Sequence, residues 1–239
     1  QNMEVNELER LVHGREGAVS AAFPALMRKV YVWMAMALVI TGICAYGVAT
    51  SPNLLQILYG NRATIWILLI AELGLVFYTT ARIDKLSLAT ATTLFAIYSA
   101  LNGVTLSSIF LVYSMASIAK VFFITAGTFG AMALYGYFTR TDLSRIGNIL
   151  FMALIGLIIA TVVNVFLRSP MFDLILSYIG VAIFVGLTAW DSQKIKQMLL
   201  LQPDLGETAQ KFALMGALTL YLDFINLFLY LLRIFGNRE

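Results

Sequence analysis

Seven blocks of apolar residues, each about 20 residues or longer, run through this chain and set what it can become. At 1.5 Å rise per residue, a block of that length crosses a hydrocarbon core of ~30 Å as a helix. Across 239 residues, 60% are apolar and only 12% charged, about half the charge fraction of a soluble domain. The chain therefore reads as an all-α, polytopic membrane protein of seven transmembrane helices. The predicted spans are 30–49, 63–82, 86–112, 118–138, 147–168, 171–190 and 211–235. They form a single domain over 30–235, between a tail over 1–29 and a short tail over 236–239. The first ~28 residues are polar and mixed in charge, which predicts no cleaved signal. One connection, 191–210, has room to be irregular and holds Pro203 and Gly206.

The net charge of +3 is scattered one or two residues per loop, which points away from nucleic acid and reports topology instead. Arg10, Arg15, Arg28, Lys29, Arg82, Lys85, Arg140, Arg145, Lys194, Lys196 and Lys211 fall on one side, eleven in all. Arg62, Lys120, Arg168, Arg233 and Arg238 fall on the other, five in all. The positive-inside rule then places the N-terminus in the cytoplasm and, with seven spans, the C-terminus outside. A six-span alternative makes the last block re-entrant. Cys44 is the lone cysteine, so no intrachain disulfide forms.

Against this background two carboxylates stand out. Asp191 closes VAIFVGLTAWD, and Asp223 interrupts MGALTLYLDFINLFLYLL. A carboxylate at membrane depth costs several kcal/mol unless paired, protonated or facing a watery cavity, which makes each a candidate functional residue. In the last span Gly216, Thr219, Asp223, Asn226, Tyr230 and Arg233 follow steps of 3, 4, 3, 4 and 3 and share one helix face. Lipid offers such a stripe no partners, so the last helix is expected inside the bundle, with Thr219, Asn226 and Tyr230 lining a cavity or bonding a neighbouring helix. Depth counting puts Asp191 and Arg82 in one layer, and Glu72 within reach of Arg233. Asp223, counted from Lys211, lies ~18 Å inward, deeper than Asp191 unless both helices extend beyond the bilayer.

Two carboxylates within ~4 Å cannot both ionise cheaply and hold a proton between them. The same oxygens suit a hard divalent cation such as Ca²⁺, which then competes with the proton. Asp191 and Asp223 are thus a candidate proton sensor and transient calcium site, with Arg82 able to neutralise Asp191 in one state and release it in another. No tightly bound cofactor is expected. Gly127, Gly130, Gly136 and Gly156 are read as sites of close helix approach, and Asn102 and Asn164 as helix-to-helix hydrogen-bond partners.

The segments WDSQKIKQM, LYLDFINLFLYLLRIFG and GYFTRTDLSRIGNILFMALIGLIIATVVNVFL resemble the Bax inhibitor-1 family (transmembrane Bax inhibitor motif proteins), in its bacterial branch. The likeness runs from about Met27 to Gly236. It implies a seven-helix fold with the last helix surrounded by the other six. It also implies a pH-sensitive calcium leak governed by a di-aspartyl unit, at the positions of Asp191 and Asp223. Arg82 matches, by location, an arginine that engages the first aspartate, and Glu72 and Arg233 match an outer contact.

Rival chemistries fit less well. An intramembrane aspartyl protease also pairs aspartates on helices 6 and 7, but here Trp190 precedes Asp191, no glycine flanks Asp223, and Pro203, the last proline, lies outside the final span. A serine protease needs a histidine base, and His13 in the polar tail is the sole histidine; structural zinc and haem fail for the same shortage of ligands. A non-enzymatic alternative is a regulator that binds other membrane proteins, such as a membrane-bound protease. The tail MEVNELERLVHGREG is amphipathic enough either to dock one or to lie as a surface lead-in.

Overall fold

The structure, a computed structural model, describes residues 2–237, without the side chains of residues 2–4, 19 and 20. Gln1, Arg238 and Glu239, the last two in the tail predicted over 236–239, lie outside the described residues. Among the described residues nine helices follow one another: α1 (Asn2–Ala49), α2 (Pro52–Tyr59), α3 (Arg62–Arg82), α4 (Leu88–Leu106), α5 (Ile109–Val112), α6 (Met115–Phe138), α7 (Ser144–Leu167), α8 (Pro170–Leu200) and α9 (Glu207–Phe235). Seven stretches among them are long and apolar enough to cross a membrane, α4 and α5 together forming one.

Polar residues between the blocks set the helix starts. The side chain of Asn61 accepts from the Ala63 N–H, Ser87 from Thr90, Ser114 from Ser117 and Ser169 from Phe172, each satisfying an amide that the first helical turn leaves orphaned. Pro170 begins α8, where its missing N–H costs nothing. Before α7, Asp142 accepts from the Ser144 N–H at 2.9 Å, and that contact holds its carboxyl below the usual range. A depressed carboxylate contributes stability above its unfolded value and loses it as pH falls through its folded value. Acidification below the ordinary carboxylate range is therefore expected to fray the start of α7 first. Hydrogen exchange at the Ser144 amide, compared between pH 3 and pH 7 in wild type and Asp142→Asn, checks this.

Two predicted boundaries move. The irregular loop expected over 191–210 shrinks to 201–206, because DSQKIKQMLL continues α8 and ETAQKFA opens α9. The N-terminal tail is helical and continuous with the first span, giving a 48-residue α1 that passes through Pro24. That is about 72 Å of helix, far more than the bilayer requires, and among the described side chains the first buried one is Ala22.

α9 is the central helix. It packs on α8, α1, α6 and α4, and its apolar side chains Leu214, Leu220, Leu227 and Leu232 are almost wholly buried. The ring of six that the resemblance implies is narrower: α3 leans mainly on α4, and α7 mainly on α8. Of the glycines expected at close approaches, Gly136 fits, since a Cβ there would collide with the Ala189 carbonyl of α8. Gly127, Gly130 and Gly156 have open space beside them instead.

A buried polar knot joins α9 to α1 and α4 on its far side. Tyr221, fully buried, shares a 2.5 Å hydrogen bond with Thr41 and accepts from Asn102 Nδ2 at 2.8 Å, while Thr41 donates to the Ser99 carbonyl. Asn102 thus bonds helix to helix as expected. Asn164 does not: its Oδ1 accepts from the Ser169 N–H and closes the α7–α8 turn. Tyr221→Phe strands the Asn102 amide and is expected to cost about 1–2 kcal/mol, read as a fall in thermal midpoint with secondary structure retained.

Candidate functional site

Because α7 leans on α8, a cleft of about 620 Å³ remains between α7, α8 and α9. In the middle of α9 the positions left partly exposed are Met215, Thr219, Leu222, Asn226, Leu229 and Tyr230, a helical stripe that largely coincides with the polar one. Thr219, Asn226 and Tyr230 line the cleft together with Asp191 and Asp223. Four of the six stripe residues, Thr219, Asp223, Asn226 and Tyr230, therefore face a cavity, whereas Gly216 packs against Ile195 of α8 and Arg233 pairs with Asp173. Thr219 and Asn226 do not bond a neighbouring helix; each donates to a carbonyl four residues earlier in α9, Met215 and Leu222 respectively.

Asp191 and Asp223 meet side chain to side chain across the α8–α9 interface, only 7% and 5% exposed. Oδ2 of Asp223 is buried with no hydrogen-bond partner among the described residues. The depth mismatch resolves through helix length. Asp191 lies about 14 Å from the end of α8, and Asp223 about 24 Å from the start of α9. A common level asks the loop over 201–206 to bridge only about 10 Å, within the reach of six residues.

The floor under Asp191 is braced by its neighbours. Ser192 donates to the Ala133 carbonyl of α6, Lys196 donates to the Tyr137 carbonyl, and Gln193 both accepts from the Leu143 N–H and donates to the Thr141 carbonyl. These four contacts fix the rotation of α8 and with it the direction of Asp191. Lys194, three residues on, lines the same cleft and lies 5.0 Å from the centroid of the Trp190 ring. Asn148 of α7 completes the polar mouth. Lys194, Trp190, Gln193 and Asn148 were not singled out from sequence; the i, i+3 spacing of Asp191 and Lys194 was the available signal.

The other expected contacts are not formed. Arg82 is exposed at the end of α3, and among the described residues no ion pair joins it to Asp191. The reason is azimuth: α3 packs on α4 and α2, away from α8, so a shared layer brings no contact. Arg233 pairs not with Glu72 but with Asp173 in the first turn of α8, at 3.5 Å, beside a second cleft of about 450 Å³. Glu72 is buried on α3 and accepts from the Thr105 hydroxyl of α4. Depth counting carries no information about position around the bundle axis, and that is where these partners are decided. Among the described residues, no histidine, cysteine or further acidic side chain joins Asp191 and Asp223 in a metal-sized group.

The family profile described as "Inhibitor of apoptosis-promoting Bax1" matches residues 24–239. Inner membrane protein YbhL of Escherichia coli strain K12 is 53% identical over 221 residues, covering 92% of this chain and 94% of that protein. An uncharacterized protein of Borreliella burgdorferi is 45% identical over 213 residues, covering 89% and 92%. One of Rickettsia prowazekii, also uncharacterized, is 45% identical over 213 residues, covering 89% of each chain. With its seven apolar helices and a match over nearly its whole length, this chain is a membrane protein of the Bax inhibitor-1 family.

Proposed function

We propose that this protein is a pH-sensitive calcium leak channel of a bacterial inner membrane, gated by proton exchange at Asp191 and Asp223. The observation that carries the reading is the facing carboxyl pair at the floor of the cleft, with Oδ2 of Asp223 buried and unpartnered. A buried acceptor of this kind is stabilised by a proton or a cation, and the two compete for the same oxygens. Around the pair, Thr219, Asn226 and Tyr230 supply further polar surface in the cleft, and a separate cleft by the α7–α8 turn is lined by Arg168, Asp173 and Arg233. In this reading Lys194 stands at the cytoplasmic end, the N-terminus lies in the cytoplasm and the C-terminus outside.

Arg82 enters through a second conformation in which the end of α3 swings toward Asp191. Arg82→Ala then shifts the pH of half-maximal release, and an unchanged midpoint removes it from the gate. Glu72 acts by tying α3 to α4 through Thr105, and Arg233 by tying α9 to α8 through Asp173. The experiment for the whole reading is Ca²⁺ efflux from liposomes between pH 5 and pH 8, comparing wild type with Asp191→Asn and Asp223→Asn.

A second reading rests on a different observation. Val5, Leu8 and Val12 follow i, i+3, i+7 spacing on the extension of α1, and all are more than half exposed. This suits a docking edge for another membrane protein. Deleting residues 3–20 separates the two: a leak survives the deletion, whereas a docking function does not.

A further inference from the structure

The cleft beside the α7–α8 turn, of about 450 Å³, is separate from the one that contains Asp191 and Asp223. Its charged lining is Arg168, Asp173 and Arg233, two guanidiniums against one carboxylate. Arg168 forms no ion pair among the described residues. Arg233 approaches Asp173 to 3.5 Å with both side chains 39% exposed, so water screens that pair. The Arg233 guanidinium also lies 5.5 Å from the centroid of the Tyr230 ring. That contact draws on its charge rather than on an oxygen acceptor, and a guanidinium has five N–H groups to give. Neutral donors add to the surplus. Asn164 Oδ1 accepts from the Ser169 N–H, and its amide N–H groups meet no acceptor among the described residues. Ser169 Oγ accepts from the Phe172 N–H and keeps its own proton to donate. Donors thus outnumber acceptors on this lining, which is the inventory of a site for an anion with several oxygens.

The corner that carries these donors is fixed. Arg168 sits at φ 52° and ψ 37°, the only non-glycine residue with positive φ among the described ones, a conformation rare for residues with a side chain. Its N–H donates to the Asn164 carbonyl at 2.7 Å, so backbone and side chain of Asn164 both tie the turn. The level of the cleft names the anion. It stands where α7 ends, α8 begins and α9 ends. Phe166, Leu167 and Met171, its neighbours in the chain, are strongly exposed apolar side chains of the kind that hydrocarbon covers. Lipid phosphates lie at that boundary, just beyond the hydrocarbon core. We infer that this cleft binds the phosphodiester of an anionic phospholipid whose headgroup carries no cation. Arg168 and Arg233 donate to the phosphate oxygens, and the acyl chains run down over Phe166 and Met171. Two guanidiniums less one carboxylate leave the lining a net charge of +1, which one phosphodiester balances. The site makes no use of the Asp191–Asp223 pair and does not rest on the calcium reading.

The test uses the full chain in nanodiscs with a fluorophore set beside the cleft by Phe166→Trp, at a position 81% exposed where added bulk meets no core. Quenching of the emission that this substitution adds is compared between brominated phosphatidylglycerol and brominated phosphatidylcholine with the same acyl chains. Phosphatidylglycerol is expected to be favoured about fivefold, the equivalent of ~1 kcal/mol for one basic residue at a membrane surface. Arg168→Gly, added to the Phe166→Trp chain, removes the guanidinium while suiting the left-handed corner, and is expected to bring the ratio down to about one. Lys85→Gln, at the other end of the bundle, is expected to leave it at about fivefold. Equal quenching by the two lipids, or a preference that survives Arg168→Gly, means general attraction to a basic protein and overturns the site. Loss of the preference in millimolar glycerol 3-phosphate shows a site for soluble phosphate and overturns the lipid assignment.

Discussion

Asp223→Asn is expected to flatten the pH profile of calcium release from liposomes, from a slope approaching tenfold per pH unit in the steepest region to less than about twofold between pH 5 and pH 8. The size follows from linkage: a site that exchanges one proton for a cation changes occupancy by at most a factor of ten per pH unit. Asn matches Asp in shape, so the buried packing around position 223 survives, and its amide can donate to Asp191 across the interface while carrying no proton to exchange. Asp191→Asn is expected to flatten the profile too, because a single buried carboxylate has no like-charged neighbour with which to share a proton. The measurement is the initial rate of Ca²⁺ efflux at each pH, with matched size-exclusion profiles to show that the variants fold. A profile in Asp223→Asn that overlays wild type sinks the exchange mechanism, whatever the absolute rate.

The second large effect is structural and bears on how the pair is held. Gly136→Val is expected to lower the thermal midpoint by about 6–12 °C, corresponding to about 3 kcal/mol. The added side chain meets the backbone of Ala189 in α8 rather than a flexible side-chain end, so relief requires α6 and α8 to part. Parting them breaks the Ser192 bond to Ala133 and the Lys196 bond to Tyr137, and it turns Asp191, two residues from Ala189, out of register with Asp223. Loss of pH-dependent release should accompany the loss of stability. Gly130→Ala on the same helix has open space at its Cβ. It is expected to be neutral or to stabilise by up to about 1 kcal/mol through backbone entropy. Equal midpoints for the two variants, measured in detergent and in nanodiscs, contradict the α6–α8 contact.

How much of this was legible beforehand differs from residue to residue. The polar stripe Thr219, Asp223, Asn226 and Tyr230 was visible because helical periodicity is a local property, and the cleft confirms the face on which it lies. The meeting of Asp191 with Asp223 was argued from residue type and cost, since depth alone disfavoured it. It holds because α8 and α9 continue past the bilayer-length blocks, which a hydropathy pattern cannot register once polar residues take over. Arg82, Glu72 and Arg233 show the opposite failure. Their partners depend on the angular order of helices around the bundle, which depth counting does not reach. That order is set by non-local packing such as Gly136 against Ala189.

The sequence by itself determined that the chain spans a membrane seven times, that its last helix avoids lipid, and that two carboxylates need a reason to be there. Those conclusions follow from the free energy of placing apolar and charged groups in hydrocarbon, which each segment carries alone. Tertiary structure alone decided that α7 leans away from α9 to leave a cleft. It also decided that Gln193, Ser192 and Lys196 lock α8 in rotation, and that Arg233 serves Asp173 and not Glu72. These are choices of azimuth among packed helices, and packing energy between distant segments is written in no single one of them.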